Sequence, residues 1–192
     1  MIWRRKVGKQ ETELPEQPFT VHLEGDTITA EITELSSAYL ARGYGEKDEH
    51  TGKIVLHPCE ALYLLERQKI EVTDKNKDTV NFNQLLSIDR SNSPNIWTDY
   101  VVFRDLRKRG YVVKEGFGPN FRFRVFERGS YETDTAKFLV VPVVEGKNVG
   151  AESLKHLLAV SRALKKKVIL SVVDRRNEIV YYLSALVELI NV

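Results

Sequence analysis

From Phe121 onward the sequence spells strand, strand, helix, strand, strand, and that order constrains the fold more than any other feature of the chain. The run FRFRVF (121 to 126) alternates with period two, which sets Phe121, Phe123 and Val125 on one face and Arg122, Arg124 and Phe126 on the other. TAKFLVVPVV (135 to 144) supplies a second, more continuously apolar strand. Leu154, Leu157, Leu158 and Ser161 form a stripe at helical spacing and predict a helix from about Ala151 to Lys165. VILSVVD then returns as a strand, turns at Arg175 to Asn177 and pairs antiparallel with EIVYYLSALVELI. The expected class is α/β (α+β mixed), with a mixed sheet flanked by helices in this half.

The first half reads as a smaller α/β module. Residues 1–16 are polar and predict a flexible or loosely docked arm. FTVHLEGDTITAEI gives two strands around Gly25-Asp26, and a short helix near Glu34 to Arg42 ends at Gly43-Tyr44-Gly45. The charged segment 46–53 is expected as a loop before the strand KIVLH. Pro58 then opens a helix to about Arg67, as befits a residue that donates no amide hydrogen bond. A short helix through Phe82 to Ile88 lies between two polar stretches, 73–78 and 89–95. Ser93 is expected to cap the next helix, with Pro94 in its first turn and Gly110 at its end. Its Trp97, Tyr100, Val101, Phe103 and Leu106 recur at helical intervals and are expected in the core. The expected domains are therefore 17–90 and 91–192.

Composition excludes several classes. No window approaches the ~18 uninterrupted apolar residues of a membrane span, and the first residues contain no apolar signal core. A soluble, intracellular, cytoplasmic protein without membrane contact is expected. The single cysteine, Cys59, permits no internal disulfide and sits in an apolar helical run, as a packed core residue would. The net charge of +2 hides an imbalance: residues 1–96 carry 12 Lys/Arg against 16 Asp/Glu, and 97–192 carry 17 against 11, or −4 against +6. Attraction for phosphate is thus expected in the second half alone.

Four segments, YVVFRDLRKRGYVVKEGF (100 to 117), FRFRVFERG (121 to 129), TAKFLVVPVV (135 to 144) and KKKVILSVVD (165 to 174), resemble in order and spacing the catalytic domain of archaeal tRNA-splicing endonucleases. YGEKDEHTGKIVLHPCEALYLLERQKIEV (44 to 72) resembles their N-terminal domain, so the likeness covers roughly 19 to 188. It implies a restriction-endonuclease-like C-terminal domain. It also implies a metal-independent, cofactor-free cleavage that uses a tyrosine at the 2′-hydroxyl, a histidine at the leaving 5′-oxygen and a lysine at the phosphate. Those positions fall on Phe126, Thr135 and Lys166. Only the lysine survives. A benzyl ring has no ionisable proton and a threonine hydroxyl titrates far above neutral pH. A positioned acid or base contributes about 10² to 10⁴ in rate, so losing both leaves no useful turnover.

The resemblance therefore implies the structural subunit of a heteromeric enzyme. Its expected partners are a catalytic subunit carrying Tyr, His and Lys, in a heterotetramer of two catalytic and two structural chains, and precursor tRNA cut at a bulge-helix-bulge. Arg122, Arg124, Lys165 and Lys167 are candidate RNA contacts, and Asp174, Glu178 and Tyr181 candidate interface residues. Arg175 and Arg176 depart from the acidic loop of relatives, and Ala159 stands where many carry an arginine that clamps a bulged base. A rival reading keeps the chain an active metal-independent nuclease in which Tyr131 or His156 replaces a missing group. A third makes it a stand-alone RNA-binding protein.

Overall fold

A computed structural model of the chain describes residues 15–117, 121–131 and 133–184, without the side chains of 89–92. The expected arm at 1–16 lies outside these residues except for its last two, as does the tail beyond residue 184. The fold is mixed α/β, with two five-stranded sheets and five helices among the described residues. Its compact units are Gly8–Lys114 and Glu115–Val192, apart from the first seven residues, and the division falls inside one strand.

In the first unit β1 (Phe19–Glu24) buries Phe19, Val21 and Leu23 and exposes the residues between them. Gly25, at φ +65°, turns the chain into antiparallel β2 (Thr27–Ala30), a backbone conformation that costs glycine little. Helix α1 (Glu34–Ala41) starts on a reciprocal cap between Thr33 and Ser36. The charged segment expected as a loop forms the two-residue strand β3 (Glu46–Lys47) against β4 (Ile54–Leu56). Asp48 organises the turn between them: its carboxylate accepts the His50 amide at 3.1 Å and the Thr51 hydroxyl at 2.6 Å. Helix α2 (Pro58–Glu66) has Pro58 in its first turn, and β5 (Ile70–Thr73) pairs parallel with β1. The sheet order is β3-β4-β2-β1-β5.

Helices α3 (Phe82–Asn92) and α4 (Ile96–Lys108) pack against α2, which buries Cys59 and Ala61 through Leu64. α3 runs four residues beyond the expected Ile88, because polar residues are tolerated on a helix with an apolar stripe, and stops only where Pro94 disfavours helical backbone at Ser93. Ser93 is not the N-cap of α4. Its carbonyl accepts the Ile96 amide at 3.0 Å in a connecting turn, and Asn95 holds the cap position. Tyr100 and Phe103 are buried as expected, whereas Trp97 is partly exposed.

The second sheet has the order β10-β9-β8-β7-β6. β6 (Val112–Glu115) leads to β7 (Phe123–Phe126), which pairs antiparallel with β8 (Phe138–Val144). Helix α5 (Ala151–Ala163) carries the chain to β9 (Lys167–Val173), parallel to β8, and β10 (Ile179–Ser184) returns antiparallel to β9. Leu157 of α5 packs on Phe121, Leu139 and Val168. Pro142 is tolerated in β8 because β7 pairs only with Phe138 to Val140, so the missing N–H of Pro142 faces no ladder on that side.

Candidate functional site

Register brings the three matched positions to one end of the second sheet. Val125 of β7 is opposite Phe138 of β8, which is opposite Lys167 of β9. One step outward, at the strand ends, lie Phe126, Lys137 and Lys166. Two backbone bonds close this end: the Lys137 amide donates to the Val125 carbonyl at 3.0 Å, so that Lys137 and Phe138 both face Val125, and the Lys167 amide donates to the Lys137 carbonyl at 3.0 Å. Thr135 lies just before this row, and the Lys166 ammonium donates to the carbonyl of its neighbour Ala136.

Each position has a local cause. Phe126 ends β7 out of phase with its alternation, yet is buried, because Tyr131 sets its ring edge-on at 5.0 Å between centroids and 87° between planes. Thr135 is exposed, and its amide donates to the Asp134 carboxylate at 2.7 Å. Lys166 follows a tight helix ending. The Lys166 amide donates to Ser161 at 2.9 Å and the Lys165 amide to Arg162 at 3.1 Å, a pair of bonds that needs left-handed backbone at Lys165, whose φ is 55°. That geometry turns Lys165 and Lys167 to solvent and leaves Lys166 half-buried.

Two residues at this end were not singled out from sequence as parts of one row or contact. Lys137 is bonded through its backbone to Val125 and Lys167, between the ends of β7 and β9, and its ammonium pairs with Glu127 at 2.5 Å. Counting register across β7, β8 and β9 would have found it. Tyr131 was raised as a relocated group, but its contact with Phe126 depends on the turn that follows β7. The other candidates are dispersed. Arg124 donates through Nε to the Glu115 carbonyl at 2.8 Å, and the Arg122 guanidinium lies 5.9 Å from the Phe123 ring. His22 pairs with Thr73 at 2.9 Å, and His57 accepts the Cys59 amide at 3.1 Å as the cap of α2, both in the first unit. His156 is exposed on α5.

The turn between β9 and β10 is built by Asp174. Its carboxylate accepts the amides of Arg176 and Glu178, each at 2.8 Å. The Glu178 amide bond, ahead of that from Arg176 and the nearby guanidinium, holds the Asp174 carboxyl below the usual carboxylate range. Glu178 is exposed and 3.4 Å from Arg176. Tyr181 is buried, whereas Val180, Tyr182 and Leu183 of β10 are exposed, Tyr182 to 53%.

Among the described residues no helix is long and apolar enough to cross a membrane. Residues 20–86 match the model for the tRNA intron endonuclease N-terminal domain, and residues 96–181 that for the tRNA intron endonuclease catalytic C-terminal domain. The chain is 34% identical over 167 residues to a tRNA-splicing endonuclease of Thermococcus onnurineus, covering 86% of this chain and 95% of that one. It is 31% identical over 159 residues to a tRNA-splicing endonuclease of Methanothermobacter thermautotrophicus, covering 80% and 91% respectively. With both domain models matched in order and these relatives aligned over nearly their whole length, the chain belongs to the tRNA intron endonuclease family.

Proposed function

We propose that the chain is the structural subunit of a heteromeric tRNA-splicing endonuclease, assembling with a catalytic subunit that carries Tyr, His and Lys. The reading is supported by one observation: at the end of the second sheet where Lys166 lies, the positions that the resemblance gives to proton transfer carry Phe126 and Thr135. Neither side chain transfers a proton near neutral pH, and two missing acid–base groups cost about 10⁴ or more in rate. In the assembled enzyme, two structural and two catalytic chains cut precursor tRNA at exon-intron junctions in a bulge-helix-bulge. The products carry a 2′,3′-cyclic phosphate and a 5′-hydroxyl. Arg122, Arg124, Lys165 and Lys167 contribute to RNA contact. Asp174 and Glu178, with the strand that bears Tyr181, contribute to the subunit interface.

A second reading, an active nuclease with a relocated base, is favoured by the Tyr131 ring against Phe126. Incubating the purified chain with bulge-helix-bulge RNA separates the two. Cutting only after addition of a Tyr/His/Lys-bearing partner supports the structural role. Cutting by the chain alone, abolished by Tyr131→Phe, replaces it with the second reading, and RNA binding without cutting or partner assembly leaves a stand-alone binding protein.

A further inference from the structure

Phe117 is a large apolar side chain left 44% exposed just after β6, and neighbouring residues hold it there. The Gly116 amide donates to the Arg122 carbonyl at 2.9 Å. A Cβ on Gly116 would lie 1.8 Å from the Phe121 carbonyl oxygen, so glycine alone admits this approach of two backbone segments. Arg124, on β7, places its guanidinium 5.4 Å from the centre of the Phe117 ring. The same guanidinium donates through Nε to the Glu115 carbonyl at 2.8 Å. The cation is therefore fixed by the backbone on one side of the ring, and little order remains to be imposed on binding.

A lone exposed phenylalanine is ordinary. One paired with a backbone-anchored arginine, in the half of the sequence with 17 Lys/Arg against 11 Asp/Glu, has the make-up of a single-strand nucleic-acid contact. The ring offers a face on which any base stacks, and the guanidinium adds attraction for that base and its phosphate. A paired stem presents no free base face, so it gains nothing from the ring. We propose that Phe117 and Arg124 form a stacking platform for an unpaired nucleobase of RNA. This rests on the reading of the chain as part of an enzyme acting on precursor tRNA, and adds that the chain holds a bulged or single-stranded nucleotide there.

The test uses the full-length chain and fluorescence anisotropy with two RNA probes, a hairpin with an unpaired bulge and the same hairpin fully paired. Phe117→Ala is expected to weaken binding of the bulged probe by about 5- to 100-fold, and to leave the paired probe unchanged. The salt dependence stays the same because no charge is removed. Phe117→Trp restores the affinity. Wild-type affinity of Phe117→Ala for the bulged probe, or equal losses on both probes, overturns the platform. So does a wild-type chain that binds the bulged probe no tighter than the paired one. The subunit reading is judged separately, by cleavage with the partner present.

Discussion

Replacing Lys114 with methionine tests how much of the first unit depends on a buried charge pair. The Lys114 and Glu60 side chains are 3% and 2% exposed and 3.0 Å apart, and the ammonium also donates to the Gly45 carbonyl at 2.8 Å. The other Glu60 oxygen accepts the amides of Gly45 at 3.1 Å and His57 at 2.9 Å, so the pair ties together the turn after α1, the start of α2 and β6. Glu46, 3.8 Å away but 58% exposed, cannot substitute. Two unit charges at this separation attract by about 5 kcal/mol at an effective dielectric of ~20, and orphaning one member of a buried pair costs about 3–5 kcal/mol. Glu60 keeps its two amide donors, which places Lys114→Met near the lower end, about 3 kcal/mol. Adding Glu60→Gln keeps an acceptor for those amides and removes the stranded charge, so the double variant should recover about 2 kcal/mol of that loss. Urea unfolding followed by the fluorescence of Trp97, in the same unit, should show the midpoint falling by about 1–3 M for the single variant. A loss under about 1 kcal/mol, or a double variant less stable than the single one, refutes this account of the pair.

Three further outcomes are expected. Phe126→Tyr with Thr135→His, in an assembled enzyme whose partner has lost its own catalytic residues, should raise cleavage at least about 10²-fold over the unmodified chain; no gain from a correctly folded variant contradicts the residue assignment. Lys165→Gly should stabilise the chain by about 1 kcal/mol in denaturant unfolding, since glycine adopts left-handed backbone at little cost; destabilisation would show that the lysine side chain matters more to stability than its backbone strain. The Asp174 carboxyl is depressed, so its contribution to the β9–β10 turn is fully present above the unfolded value of about 4 and is lost as pH falls through the folded value. The protection of the Arg176 and Glu178 amides against exchange, relative to their intrinsic rates at each pH, should therefore fall in acid for the wild type and show no such pH step in Asp174→Asn.

The strands and helices with strong periodicity were legible in the sequence. FTVHLEGDTITA specified β1 and β2, Pro58 opened α2, and the leucine stripe of α5 buried Leu157 as expected. Polar segments were harder, because capping and turn formation compete there with continuation of a helix or strand. DRSN extended α3, and Glu46–Lys47 formed a strand through backbone pairing that its charged side chains do not announce. At the site, the family resemblance gave Phe126, Thr135 and Lys166, whereas Lys137 emerged only when three strands were laid side by side. Phe126 shows the limit of alternation. Which side of a strand is covered depends on what the rest of the chain lays over it, as Tyr131 does for Phe126.

Because pairing alone aligns Val125, Phe138 and Lys167, the intervening stretch from 127 to 134 is not needed to measure out their separation. Relatives are free to lengthen or shorten that stretch without displacing the trio, while one residue gained or lost inside β7 or β9 would turn every side chain to the opposite face. Evolution at this end of the sheet is thus free to exchange chemical groups and loop lengths, but is tightly held in strand length.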